Sequence, residues 1–170
     1  MRLRNAWARL VAPALLMVAA LAGCDPQRVA QLEEGVSTEV EVRKQFGDPV
    51  TITLLADGSR VMDYPRQPEG WTNYVITIGT DGKMSSLRQL LNEDNFVRVR
   101  PGLTAQEVRA LLGRPARTQR YALKNEEVWD WRFKQHGQDS KLFSVTFGAD
   151  GKVSGSAVAD DPRDVANSGK

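Results

Sequence analysis

Few groups in this 170-residue chain could do acid–base or nucleophilic chemistry. The single histidine, His136, lies in a polar stretch between two predicted strands, where a solvated loop histidine is the simpler interpretation. Asp63 and Asp130 take matching, outward-facing places in two similar strands, and a pair of carboxylates could hydrolyse a glycosidic bond. Serine-hydrolase, nucleotide-loop and zinc-peptidase motifs are absent from the sequence. We therefore predict a protein that is not an enzyme and has no cofactor.

Metal and disulfide chemistry has little basis in the composition. One cysteine and one histidine exclude an internal disulfide and argue against zinc sites built from these residues. Three Asp-Gly pairs, at 57–58, 81–82 and 150–151, lack the ligand spacing of a calcium loop and are typical of hairpin turns. The sequence predicts no metal site.

The single cysteine, Cys24, closely follows an apolar N-terminal segment. Arg2, Arg4 and Arg9 precede an apolar run at 10–22, which is the length of a signal-peptide core and short for a membrane span. The run ends in Leu-Ala-Gly-Cys, which resembles the lipobox of bacterial lipoproteins. We predict a signal peptide at 1–23 and a lipid anchor on Cys24. The alternatives are an ordinary secretory signal with an incidental cysteine, or a cytosolic helix.

This leader also explains the basic character of the chain. Removing residues 1–23 removes three arginines and leaves 20 basic and 21 acidic residues, so we expect no nucleic-acid partner. The predicted location is the bacterial cell envelope, lipid-anchored and facing the periplasm, with the outer membrane favoured. Asp25 resembles the inner-membrane retention signal of enteric bacteria, so the inner membrane stays open as well.

The mature chain contains the same helix pattern twice. Residues 38–49 and 104–115 both begin with Thr-x-x-Glu and end with Gly-x-Pro. The first pattern is a capping box, in which the two side chains bind each other's free backbone N–H groups, and the second stops a helix. Two short helices with defined ends are therefore predicted.

Strand patterns repeat as well. Residues 61–64 correspond to 128–131, and 74–78 to 143–147, with alternating apolar side chains that include Trp129 and Trp131 on the core face. The predicted fold is α+β, with two tandem units of helix, helix and antiparallel sheet and the helices packed on one sheet face. We place the units at 24–91 and 92–157 and expect residues 158–170 to be a disordered tail.

A family resemblance follows from these motifs. Gly-x-Thr with Glu-Val-Arg, Leu-Leu-Gly-x-Pro, an aromatic strand and Asp-Gly-Lys-Val resemble the BamE (SmpA/OmlA) domain, best at 101–158. The first unit differs by one extra residue before Thr38 and by Phe46 in place of leucine. The resemblance implies a lipoprotein of outer-membrane β-barrel assembly, with barrel-assembly partners and phosphatidylglycerol as ligands. The same α+β unit is similar to that of secreted β-lactamase inhibitors, which implies a periplasmic inhibitor or sensor as the alternative.

Two sets of residues are candidates for partner binding. Tyr64, Arg66 and Trp71 lie in a proline-containing loop, and such side chains are common interface anchors, although the aromatics could instead reach the core. Arg114 and Arg117 belong to the basic second unit, which holds 11 basic and 8 acidic residues against 7 and 10 in the first. These arginines could meet an acidic envelope protein or anionic lipid, or they could be solvated or attracted to the first unit.

Overall fold

The computed structural model describes residues 25–165 as two similar sets of elements. The first set is α1 (Asp25–Val29), α2 (Glu39–Phe46), β1 (Thr51–Leu54), β2 (Arg60–Pro65), β3 (Asn73–Ile78) and β4 (Met84–Gln89). The second set is α3 (Glu93–Phe96), α4 (Ala105–Leu112), β5 (Arg117–Tyr121), a 3-10 turn (Ala122–Lys124), β6 (Glu126–Gln135), β7 (Asp139–Phe147), β8 (Val153–Asp160) and α5 (Pro162–Val165). Residues 1–24, with the predicted signal peptide and Cys24, lie outside the described residues.

Each set forms its own antiparallel sheet of four strands in chain order, β1-β2-β3-β4 and β5-β6-β7-β8. The predicted Asp-Gly turns join neighbouring strands. In the turns before β4 and β8, the Oδ1 atoms of Asp81 and Asp150 accept the backbone N–H two residues later at 3.1 and 3.0 Å. The predicted α+β class is confirmed.

The two capped helices form as the sequence predicts. Glu41 accepts the N–H of Thr38 at 2.8 Å, and Thr38 Oγ1 accepts the N–H of Glu41 at 3.4 Å. The second helix repeats this box with distances of 2.8 and 3.3 Å. Gly47 ends α2 with φ of 80°, a conformation that glycine adopts without strain.

The helices cover one face of each sheet. In the first unit Val42 and Phe46 of α2 pack on Met62, Tyr64 and Ile76. In the second unit the core contains Val108, Leu112, Trp131, Phe133, Phe143 and Val145. Trp131 is fully buried, and Trp129 packs partly buried against the same cluster, so the prediction that both tryptophans are core residues is confirmed.

The predicted disorder from Val158 onward is wrong for the described part of the tail. Strand β8 continues to Asp160, which pairs with Lys141 of β7, and α5 follows. Asp161 is only 2% exposed because its carboxylate binds the guanidinium of Arg132, 29 residues earlier in the chain. A long-range ion pair of this kind leaves no mark in the local composition on which the prediction of disorder was based.

Candidate functional site at the junction of the two units

The loop between β2 and β3, residues 66–72, reaches the second unit, and we call it the junction loop. Gln67 in this loop is 6% exposed. Its side-chain amide donates to Arg132 O at 2.8 Å and accepts from Arg132 N at 3.2 Å. Strand β5 begins opposite Asp130, so it leaves the edge of β6 at Arg132 without a partner strand. Gln67 therefore supplies the two hydrogen bonds that a continued β5 would make.

Arg132 connects three parts of the chain. It is 5% exposed on the face of β6 that points away from the helices. Its Nε donates to Asp161, and its Nη1 donates to Pro68 O at 3.3 Å and Glu69 O at 3.1 Å. The ring of Trp71 covers the guanidinium, with 5.2 Å between the carbon Cζ and the ring centroid. The junction loop is thus bound to the second unit by a buried charge.

Asp161 is the acidic partner in this cluster. Burial alone would raise its pKa, but hydrogen bonds from Arg163 N and Arg132, together with the charges of both arginines, hold the pKa below its usual value. The carboxylate is therefore ionised at neutral pH and keeps Arg132 paired.

A second junction contact involves the end of α4. The buried Asn73 in β3 donates from Nδ2 to Leu112 O at 2.7 Å and to Arg114 O at 2.9 Å. Leu112 O is one of the carbonyls that a helix leaves unpaired at its C-terminus, and Arg114 follows the helix by two residues, so a side chain of the first unit caps a helix of the second. Gly113, between them, has φ of 72°, and a Cβ there would lie 3.0 Å from Asn73 Nδ2.

Beyond this contact, α4 and the outer face of the first sheet enclose a groove of about 1000 Å³. Its walls include Val61, Val75 and Arg88 from the sheet, and Arg109 and Leu111 from α4. An adjoining pocket of about 450 Å³ shares Asp63 and Arg109 with the groove and extends to Arg114. Side chains of both units line this concave surface.

Asp63 lies in the groove on strand β2. It pairs across the sheet with Thr51 on one side and Val75 on the other. Partial burial raises the pKa of its carboxyl. Among residues 25–165 its carboxylate has no hydrogen-bond donor and no ion-pair partner.

The matching carboxylate of the second unit is fully paired. Asp130 is 3% exposed, and its Oδ2 accepts from Arg117 Nε at 2.9 Å and Arg117 Nη2 at 2.7 Å. Its Oδ1 accepts from Ser144 Oγ at 2.6 Å. Arg117, predicted for a partner surface, therefore holds a carboxylate of its own unit.

The loop residues predicted for partner binding contact the protein itself. Tyr64 is 2% exposed, with its ring 5.3 Å from that of Phe46, so its assignment to a binding surface is wrong. Its position on the inward face of β2 explains the burial. Arg66 forms an ion pair with Asp25 at 3.5 Å, and its guanidinium lies 5.5 Å from the Phe46 ring centroid.

The remaining predicted residues have different surroundings. Trp71 lies against Arg132 and against Lys134, whose Nζ is 4.5 Å from the ring centroid. Arg114 is exposed at the end of the groove. Of the predicted partner-binding set, only Arg114 therefore has an exposed side chain that pairs with no charged group between residues 25 and 165.

The groups considered for catalysis are not brought together. His136 lies in the β6–β7 hairpin with φ of 49°, and six residues of extended strand, or about 20 Å, separate it from Asp130. Asp63 lines the groove, whereas Asp130 is buried and both of its oxygens are held by Arg117 and Ser144. The two carboxylates therefore do not share one site as an acid–base pair.

The sequence analysis missed the residues that build the junction: Gln67, Asn73, Arg132 and Asp161. Of these, only Arg132 carries a signal, because it is a charged residue between the core side chains Trp131 and Phe133. The others are ordinary polar residues of loops and strand ends.

The described residues contain neither a cluster of metal ligands nor a membrane-spanning helix. Within 25–165, no three His, Cys, Asp or Glu side chains lie close enough together to hold a metal ion. Of the helices between those same limits, none combines the length and the hydropathy needed to cross a membrane.

The second unit matches the model of a known domain family. Residues 89–157 match the family model of the outer membrane protein assembly factor BamE domain. The second unit is BamE-like. The match begins at the end of β4 and includes α3, α4 and most of the second sheet. The capped helix α4, Gly113 at its C-terminal end and the paired Asp130 all lie in this BamE-like unit.

Other comparisons add little. No curated protein is a match for the chain. A crystal structure of a DUF4309 family protein (YjgB) from Bacillus subtilis subsp. subtilis str. 168 is similar at 19% identity, over 80% of this chain and 86% of that chain, with a TM-score of 0.32. That score is too low to relate the two folds.

Proposed function

We propose that the protein is a non-catalytic lipoprotein of the bacterial cell envelope that acts as a binding or scaffold component, in outer-membrane protein assembly or in envelope integrity. The observation that carries the proposal is the match of residues 89–157 to the BamE domain of an outer membrane protein assembly factor. The junction supports a scaffold role, since buried polar side chains hold the BamE-like unit against the first unit and leave a groove that both units line.

The proposed anchor is a lipid on Cys24. Asp25, the first described residue, accepts a hydrogen bond from Thr72 Oγ1 at 3.1 Å and pairs with Arg66. A lipid one residue earlier would hold the junction loop close to a membrane leaflet, and several acyl chains on one cysteine anchor a protein stably. The outer membrane is the favoured location, and Asp25 leaves the inner membrane as the alternative.

A second candidate function is a periplasmic inhibitor or sensor that captures another protein. The groove between the first sheet and α4 favours this candidate because a concave surface of about 1000 Å³ suits the capture of a protruding segment. The partner would then be a periplasmic protein instead of a barrel-assembly component.

Purification of the intact, lipidated protein from gently solubilised envelopes, with quantitative mass spectrometry of the bound proteins, tests both functions. The Arg114→Glu variant tests the groove end, and Arg120→Glu, an exposed arginine of β5, is the matched control. Arg117 is unsuitable because a glutamate there would face the buried Asp130. We expect barrel-assembly components to bind the wild type and the control and to be reduced with Arg114→Glu. A single periplasmic enzyme in their place would support the inhibitor, and the absence of any bound protein would refute both functions.

A further inference from the structure

Asp63 and Asp130 occupy equivalent positions in the two units, but their carboxylates have different neighbours. In the second unit Asp130 is held by Arg117, its cross-strand neighbour on β5, and by Ser144, its neighbour on β7. In the first unit the corresponding neighbours of Asp63 are Thr51 and Val75. Neither of these residues supplies a cationic donor, and no other described residue does so.

In the first unit Thr51 takes the position of Arg117, and it lines the adjoining pocket together with Asp63. Asp63 lines both the groove and the adjoining pocket. The apolar side chains of Val61 and Val75 flank it on the same face, and Val75 is 9% exposed. A half-buried carboxylate between apolar walls attracts a charged donor more strongly than a solvated one, because the local dielectric constant is lower.

We propose that the groove at Asp63 is a docking site for an arginine side chain carried by a segment of a partner protein. The guanidinium would take the place over Asp63 that Arg117 takes over Asp130, with two nitrogens directed at the carboxylate. The aliphatic part of the arginine would lie against Val61 and Val75, and the adjoining residues of the segment would contact α4 at Leu111.

The choice of arginine follows from the second unit. Arg117 directs both Nε and Nη2 at one oxygen of Asp130, an arrangement that the single ammonium of lysine cannot reproduce. Among the described residues, three arginines line the groove, Arg88, Arg98 and Arg109, and none of them pairs with Asp63. Arg109 lies over Trp129, 5.4 Å from the ring centroid, and Arg98 donates to Asn95 Oδ1 at 3.2 Å. The backbone of Arg88 is two strands from that of Asp63, about 10 Å away.

The inference rests on the proposed binding function and adds the chemistry of the partner. It is tested on the purified, lipidated full-length protein in detergent, so its failure is distinguishable from failure of the envelope purification. The probes are the pentapeptide acetyl-Thr-Val-Arg-Val-Thr-amide and the same peptide with citrulline, a neutral analogue of arginine. Calorimetric titration gives the affinities.

Three variants define the site. Asp63→Asn removes the charge, and Thr51→Arg introduces the donor that the second unit uses. Asp94→Asn is the matched control, because Asp94 is an exposed carboxylate that lines the same groove. We expect the arginine peptide to bind the wild type and Asp94→Asn alike, and to bind Asp63→Asn and Thr51→Arg at least about tenfold more weakly, since a charged hydrogen bond is lost. The citrulline peptide should be weaker by a similar factor.

Thermal unfolding separates docking from folding. We expect Thr51→Arg to raise the melting temperature and Asp63→Asn not to lower it, because Asp63 has no partner within the described part of the chain. Equal binding of the two peptides, no arginine-peptide binding up to about 10 mM, or equal losses in Asp94→Asn and Asp63→Asn would each overturn the assignment. Sedimentation showing a dimer that Asp63→Asn dissociates would overturn it too, because the occupant would then be a second copy of this chain.

Discussion

Replacing Arg132 by methionine should remove much of the stability of the junction. Methionine keeps the length and apolar stem of the side chain but cannot pair with Asp161 or donate to the junction loop. Arg132 and Asp161 are 5% and 2% exposed, so the remaining carboxylate has little access to water. Its other contacts are the N–H of Arg163 at 3.0 Å and the guanidinium of Arg163 at 4.0 Å.

The size of the effect follows from these contacts. Breaking a buried ion pair by removing one partner costs about 3–5 kcal/mol. Glu69 O loses a hydrogen bond worth about 1 kcal/mol, whereas Pro68 O keeps its second donor, Arg163 Nη2 at 2.6 Å. We expect Arg132→Met to lower the free energy of unfolding by about 4 kcal/mol, a large share of the roughly 5–15 kcal/mol of a typical domain.

Urea unfolding at pH 7, followed by tryptophan fluorescence and circular dichroism, measures this change. The double variant Arg132→Met/Asp161→Leu should recover about half of the loss, because no buried charge remains without a partner. Arg163→Met is the control, since Arg163 is 48% exposed and a surface pair contributes about 1 kcal/mol or less. A loss below about 1 kcal/mol in Arg132→Met would refute the argument, because water would then be solvating Asp161 at the junction.

Three further predictions concern the same architecture. Asn73→Ala removes the two hydrogen bonds at the C-terminal end of α4 and should lower the free energy of unfolding by about 2–3 kcal/mol. Urea unfolding measures this change. An unchanged unfolding midpoint would mean that water caps the helix equally well. Thr38→Ala and Thr104→Ala each remove a helix cap and should each lower the free energy of unfolding by about 1 kcal/mol. Calorimetry should show one shifted unfolding transition in both variants. Two separate transitions would mean that the units unfold independently. The pKa of Asp161 is lowered in the folded state, so the unfolded chain binds more protons near its usual pKa of about 4 and wild-type stability falls as the pH drops through that range. Asp161→Asn should show a shallower fall between about pH 5 and pH 3 in urea titrations, and an identical slope would contradict the shift.

The elements of the fold were predictable because each depends on neighbours in the sequence. The Thr38 box and its copy set the starts of α2 and α4 through contacts three residues apart. Alternation placed Met62 and Trp131 in the cores, because every second residue of a strand faces the same side. These helix starts and strand faces depend on nearby residues and not on contacts between distant parts of the chain.

The junction was not predictable from the same rules. Gln67 and Arg132 are 65 residues apart, and Asn73 meets Leu112 across 39 residues, so neither pair produces a local pattern. The internal repeat did not help either, because the loop that holds Gln67 is hydrogen-bonded to the other unit, whereas the short β6–β7 hairpin with His136 is hydrogen-bonded within the second unit. Trp71 and Arg66 were predicted to bind a partner protein. In the structure Trp71 contacts Arg132, and Arg66 pairs with Asp25.

The repeat becomes informative once the two outer sheet faces are compared. On the second sheet the buried charges have internal partners, because Asp130 binds Arg117 and Arg132 binds Asp161. On the first sheet no described residue donates to Asp63, although the second unit shows that an arginine in the Thr51 position could do so. Burial raises the pKa of the Asp63 carboxyl, and burying a charge without a partner destabilises the fold. The second unit avoids this cost because Asp130 is paired. Unpaired polar groups of this kind concentrate where a protein binds something else, so the proposed partner would bind at the groove between the first sheet and α4, whereas the paired face of the second sheet stabilises the fold.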